Sequence, residues 1–109
     1  MRGNKPAYFP VLDDVLQAAQ TISEISEETP LTDSIRLSKQ FDCQIRLKRE
    51  DLQRVRSYKI RGAFNKISSL TNEERNKGVI CASAGNHAQG VAFACCHLKI
   101  KGTIYMPSV

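Results

Sequence analysis

The sequence predicts an α/β fold built on a parallel sheet with a βαβ unit. Three observations carry that reading. Val79-Ile80-Cys81-Ala82 is short, apolar and partly β-branched, the mark of a buried strand. Downstream, Ala88, Val91, Ala92 and Cys95 recur at i, i+3, i+4 and i+7, one face of a helix. Gly102-Thr103-Ile104-Tyr105-Met106 then reads as a second strand, stopped by Pro107. A strand, a helix and a strand in so few residues imply parallel strands joined by a right-handed crossover.

The remaining elements follow in order. Residues 1–10 read as a loose lead-in. Leu12, Val15, Leu16 and Ala19 form a helical stripe that Ile22 and Ile25 extend, with Asp13 and Asp14 at its favourable N-terminal end and a stop expected near Thr29-Pro30. Asp33 is the expected cap of a short helix with Leu37 and Phe41 inward. Cys43, Ile45 and Leu47 alternate with Gln44, Arg46 and Lys48, the pattern of a strand with one buried face. Lys48-Arg49-Glu50-Asp51 reads as a solvated strand end. Ile60, Ala63, Phe64, Ile67 and Leu70 fit a second helix, with Ser57 as N-cap. Thr71-x-x-Glu74 is a capping box for one further short turn, which Gly78 closes.

Composition bounds the function classes. The chain has 109 residues, room for one small domain, and ordinary hydrophobic and charged content for a soluble globular protein. A net charge of +5 favours anionic ligands, phosphate included. The basic residues are dispersed and no helix-turn-helix, zinc-finger or RNP-type signature occurs, so a nucleic-acid module is disfavoured. No apolar run is long enough to span a bilayer and Met1-Arg2-Gly3-Asn4-Lys5-Pro6 lacks the apolar core of a signal peptide, so no membrane role is expected. Cys43, Cys81, Cys95 and Cys96 form no C-x-x-C pair. That argues against a metal site and for free thiols in a reducing, cytoplasmic setting.

Two stretches carry chemistry. In a βαβ unit, ligands bind where a strand's carboxyl end meets the next helix, which places Ser83-Ala84-Gly85-Asn86-His87 at such a site. A helix start offers unpaired N–H groups and partial positive charge. Gly85 permits close backbone approach; Ser83 and Asn86 can either cap the helix or bind a ligand. Upstream, Lys59 falls in the opening turn of its helix, where the dipole disfavours a cation, and Arg56 and Arg61 add to that pressure if close. A neutral amine there is the nucleophile a carbonyl requires.

Three segments of the chain, Lys48-Arg49-Glu50-Asp51-Leu52-Gln53, Ser57-Tyr58-Lys59-Ile60-Arg61-Gly62-Ala63 and Ala82-Ser83-Ala84-Gly85-Asn86-His87-Ala88-Gln89-Gly90-Val91-Ala92, resemble the threonine dehydratases (threonine ammonia-lyases) of the tryptophan-synthase-β-like, fold-type-II group of pyridoxal-phosphate enzymes. The resemblance runs from about Leu12 to the end. It implies that Lys59 is the catalytic lysine that holds pyridoxal 5'-phosphate. Asn86 matches the residue that hydrogen-bonds the ring hydroxyl, and Tyr58 stands where the family usually has Phe. Ser83, Ala84, Gly85 and His87 match the loop that holds the substrate carboxylate. The implied reaction converts L-threonine to 2-oxobutanoate and ammonia, on the branch toward isoleucine.

The family's phosphate-binding glycine loop does not occur in this sequence, and a two-strand unit cannot bury both faces of a parallel sheet. The expectation is therefore an incomplete domain, an N-terminal part that is inactive alone. In it, residues 1 to about 40 pack on the family's large domain and 41–109 belong to the small one. The full-length form is expected to be a homo-oligomer. Two alternatives stand beside this reading: a serine or serine/threonine dehydratase of the same group, and a non-catalytic interaction module.

Overall fold

The computed structural model describes residues 8–108. The lead-in expected over 1–10 therefore lies largely outside the described residues; residues 8–10 belong to no helix or strand. The elements, in order, are α1 (Leu12–Ile22), β1 (Leu31–Asp33), α2 (Ile35–Phe41), β2 (Arg46–Lys48), a 3-10 turn (Glu50–Leu52), α3 (Lys59–Ser68), α4 (Asn72–Lys77), β3 (Val79–Ala82), α5 (Asn86–His97) and β4 (Gly102–Tyr105).

The C-terminal part is the expected βαβ unit. β3 and β4 run parallel, with Val79 opposite Gly102 and Ala82 opposite Tyr105. α5 and α3 pack on each other and bury Ile60, Ala63, Phe64, Ile67, Val91, Ala94 and Cys95. The His97 ring meets Phe64 edge-on at 5.4 Å between centroids, which ties the C-terminal end of α5 to the middle of α3. Three of the four residues of the expected α5 face, Ala88, Val91 and Cys95, are buried. Gly90 and Ala94 are buried as well, whereas Ala92 is exposed. Small residues are what let α3 lie this close, so the contact follows them too. β3 is half-buried rather than buried. Val79 and Cys81 pack against the core cluster, while Ile80 and Ala82 face outward, because a two-stranded sheet with one helix layer covers a single face.

Helix ends follow local chemistry. Thr71 Oγ1 accepts the Glu74 N–H while the Glu74 carboxylate accepts the Thr71 N–H at 2.8 Å, the expected capping box. Gly78, at φ +83°, ends α4. The cap of α3 is Tyr58, one residue later than expected. Ser57 still accepts the Lys59 N–H, at 3.4 Å.

The N-terminal part departs further from expectation. α1 stops at Ile22. Ser23 and Ser26 donate their hydroxyls to the Gln20 and Ile22 carbonyls and close the helix with a turn. That turn delivers Ile25 into the core. Leu31–Asp33, expected to lead a helix, is a strand antiparallel to β2, with Thr32 opposite Leu47. The cap of α2 is Ser34 rather than Asp33, and Phe41 is exposed rather than inward. β2 has no buried residue. No element covers this two-stranded ribbon, so alternation alone does not bury it.

Candidate active site

Lys59 is the first residue of α3, and its backbone is met from two directions while its helix is restrained from a third. Ser57, buried, receives its N–H. From α5, Gly90 lies so close that a Cβ there would stand 3.0 Å from the Lys59 carbonyl oxygen and 3.3 Å from Ala63 Cβ. Glycine allows this approach of the two helices without a shift of either. From the third side, Arg61 is tied down by Glu50, as described below. The Lys59 amine sits 5.0 Å from the centre of the Tyr58 ring, within reach of a cation–π contact.

A cleft of about 380 Å³ opens beside this lysine. Tyr58, Lys59, Gly62, Ile80, Cys81 and His87 are among the residues that line it. Apolar walls with a few polar groups are the usual make-up of a small-molecule site. Its size and its aromatic wall fit a flat heteroaromatic ring; two amines that can bond an aldehyde carbon line it, Lys59 and Lys66, and Lys59 is the one in the first turn of α3.

The structure brings together Lys59, Tyr58 and His87 on this cleft. It separates Ser83 and Ala84, which line a neighbouring groove of about 490 Å³ with Tyr105, Met106 and Pro107. The loop that joins the two is held at both ends. The Ser83 N–H donates to the Tyr105 carbonyl at 3.0 Å, and Ser83 Oγ accepts the Gly85 N–H at 3.2 Å. Gly85 caps α5 by backbone geometry alone, and no side chain bonds its first turn. The two roles left open for Ser83 and Asn86 are thus resolved for capping: neither side chain caps the helix. The exposed Asn86 and His87 stand in a first turn whose N–H groups have no intrahelical partner, open to an anion. All four cysteines are free thiols, and burial pushes the Cys95 thiol up. Among the described residues no group of His, Cys, Asp and Glu could hold a metal ion.

The charged run Lys48–Asp51 is more than a solvated strand end. Glu50, with its side chain only 15% exposed, accepts two hydrogen bonds from Arg61, Nε at 2.8 Å and Nη2 at 2.9 Å. Thr29 Oγ1 donates to it at 2.6 Å. Gln53, fully buried, donates weakly to Glu50 and clamps the Glu27 backbone, accepting its N–H at 2.9 Å and donating to its carbonyl at 2.8 Å. The Arg61 guanidinium, helped by Thr29 and Gln53, holds the Glu50 carboxyl down to about 2 against the cost of burial. Arg61, read from the sequence as free cationic pressure on Lys59, is matched by this carboxylate. The cluster escapes sequence reasoning because Thr29, Glu50 and Arg61 lie 21 and 11 residues apart. Its one local signal is the polar Gln53 just before the lysine helix.

The chain is similar to known proteins over most of its length. A family model described as "Pyridoxal-phosphate dependent enzyme" matches residues 22–109. The chain is 54% identical over 97 residues to the L-threonine dehydratase biosynthetic IlvA of Halalkalibacterium halodurans, covering 89% of this chain and 23% of that protein. Among solved structures it is similar to the processed form of threonine deaminase isoform 2 from Solanum lycopersicum, with a TM-score of 0.72 and 43% identity over 97% of this chain and 30% of that one. Maize serine racemase gives a TM-score of 0.83 at 33% identity, over 92% of this chain and 31% of that one. The chain thus spans about a quarter to a third of the proteins it matches.

Proposed function

The chain belongs to the pyridoxal-phosphate dependent enzyme family, and from that premise we propose that it supplies the lysine-bearing part of a catalytic domain that deaminates L-threonine to 2-oxobutanoate and ammonia. The observation that supports this reading is the cleft itself, which sets the Lys59 amine and His87 of the α5 start around one space of suitable size. When bound, pyridoxal phosphate supplies an electrophilic carbon and a sink for the electron pair left at a substrate's α-carbon.

The chain's own residues do the rest. Lys59 Nζ would hold the cofactor's aldehyde carbon. As a free amine, the same nitrogen would be the base for the α-proton. Tyr58 presents its ring to the cleft, and Asn86 is assigned to the ring hydroxyl. Ser83, Ala84, Gly85 and His87 are assigned to the substrate carboxylate, using the uncapped N–H groups of α5. A boundary near residue 40, with 41–109 in the small domain, is part of the same proposal, as are a homo-oligomeric assembly and a cytoplasmic setting. Serine is the competing substrate, because a loop that grips a carboxylate does not see the one methyl that separates the two. Among the described residues no helix is long and apolar enough to cross a membrane.

The test is visible absorbance of the purified chain with pyridoxal phosphate, before and after borohydride, beside Lys59→Ala. A lysine-dependent band fixed by borohydride is expected. An identical spectrum from Lys59→Ala would sink the assignment.

A further inference from the structure

The N-cap of α3, Tyr58, makes no side-chain bond to the first turn, which has only the long 3.4 Å contact from the Lys59 N–H to Ser57 Oγ, yet that turn must hold one amine at a fixed place. Arg61 lies two residues beyond Lys59, about 200° around the helix. A restraint on Arg61 therefore fixes the rotation of the turn without occupying the cleft. Glu50 supplies that restraint with two hydrogen bonds of 2.8 and 2.9 Å. A two-pronged contact between planar groups fixes direction as well as distance. Glu50 is in turn held by Thr29 and Gln53, and Gln53 is bonded to the backbone at Glu27. Arg61 also donates to the Glu27 carbonyl at 3.3 Å and to Ser26 Oγ at 3.4 Å. The anchor thus extends through residues 26–29, whose neighbour Ile25 is buried in the core. On the opposite side, Gly90 meets the Lys59 carbonyl.

We infer that the Glu50–Arg61 pair, braced by Gln53, is a positioning device that sets where the Lys59 amine stands, with Glu50 and Arg61 as positioning residues that touch neither cofactor nor substrate. The role deepens the proposed function and rests on it for its purpose, although the geometry of the amine can be tested without it. Glu50→Gln keeps the shape and removes the charge. Arg61→Lys keeps the charge and removes the two-pronged contact. Thr29→Val removes one brace and leaves the pair intact.

Two readouts are needed on the full 109-residue chain. One is the rate at which Lys59 is captured by pyridoxal phosphate and fixed by borohydride. The other is the labelling of Lys59 by trace acetic anhydride relative to exposed Lys39, read by mass spectrometry, which requires no cofactor. Displacing a reacting group by an ångström or less costs one to two powers of ten, so Glu50→Gln and Arg61→Lys are each expected to slow capture by about tenfold, with Thr29→Val near the parent. The Lys59 to Lys39 labelling ratio is expected to shift by about threefold in the same two variants, as the amine leaves its fixed setting. Capture and labelling both at parent values in a folded Glu50→Gln chain would overturn the inference. If Glu50→Gln does not fold, parent values in Arg61→Lys overturn it alone. Absence of any capture by the parent chain would count against the proposed function, while the labelling ratio would still decide the positioning role.

Discussion

The two ends of the described chain treat their apolar side chains in opposite ways. From Ile60 to Ile100, the apolar stripes of α3 and α5 face each other and close a dry core. From Leu12 to Leu47, the stripe of α1 and the side chains of the β1–β2 ribbon lie open, with Leu12 70% and Leu31 56% exposed. The exceptions are Ile22 and Ile25, which the turn after α1 carries over to the other side's core. Periodicity tells which face of a helix is apolar. It does not tell whether a second face exists to meet it. The site lies where two faces meet, because an amine can be held in place only by elements that are themselves fixed.

The largest effect should come from truncating each side of this contrast. Phe64→Ala, in the α3–α5 core, should cost about 3–4 kcal/mol. Leu16→Ala, on the open stripe of α1, should stay within about 0.5 kcal/mol. Urea denaturation of both variants measures this. A cost at Leu16 approaching that at Phe64 would break the contrast and mean that the α1 stripe is covered in solution.

This difference explains what was legible beforehand. The βαβ unit, the capping box at Thr71, the stop at Gly78 and the first-turn position of Lys59 all depend on residues near in sequence. Their chemistry is local, and it was readable. The strand at Leu31–Asp33 depends on a partner at Arg46–Lys48, and neither segment has a periodicity that reveals the other. The Glu50 cluster is further still from view. A charge run looks solvated until the fold brings Thr29 and Arg61 to it. In the site itself, the lysine and the loop were recognisable as motifs. Their division between two adjacent spaces, with Ser83 and Ala84 away from the lysine cleft, was not.

The Glu50 cluster joins the two regions, and pH should loosen that joint. Its carboxyl is held at about 2 against an ordinary 4.5. A depressed carboxyl contributes stability that is fully present above the unfolded value and is lost as pH falls through the folded one. The contribution is therefore complete above about pH 4.5 and withdrawn between there and about pH 2, amounting to at most about 3 kcal/mol. Denaturation midpoints taken down the acid limb should show the loss in the parent chain, and Glu50→Gln should flatten it. An unchanged acid limb in that variant would show that the joint contributes nothing to holding the regions together.

Two glycines on the packed side give the smallest and sharpest comparison, since both sit in helices that flank the lysine cleft. At Gly90 a Cβ would meet the Lys59 backbone at 3.0 and 3.1 Å, and backbone cannot swing aside. Alanine's better helix propensity returns at most about 1 kcal/mol, against about 1–3 kcal/mol for overpacking. Gly90→Ala should therefore lose about 1 kcal/mol and disturb aldehyde capture at Lys59, whose carbonyl it presses. At Gly62 a Cβ would meet nothing within 4 Å. The helix-propensity gain then stands alone, and Gly62→Ala should gain about 0.5–1 kcal/mol. Gly62 also borders the cleft, so its new methyl group projects toward the space beside the amine. If Gly62→Ala raises the denaturation midpoint yet slows capture, the glycine is kept for room in the cleft. If both improve, neither packing nor the cleft explains it.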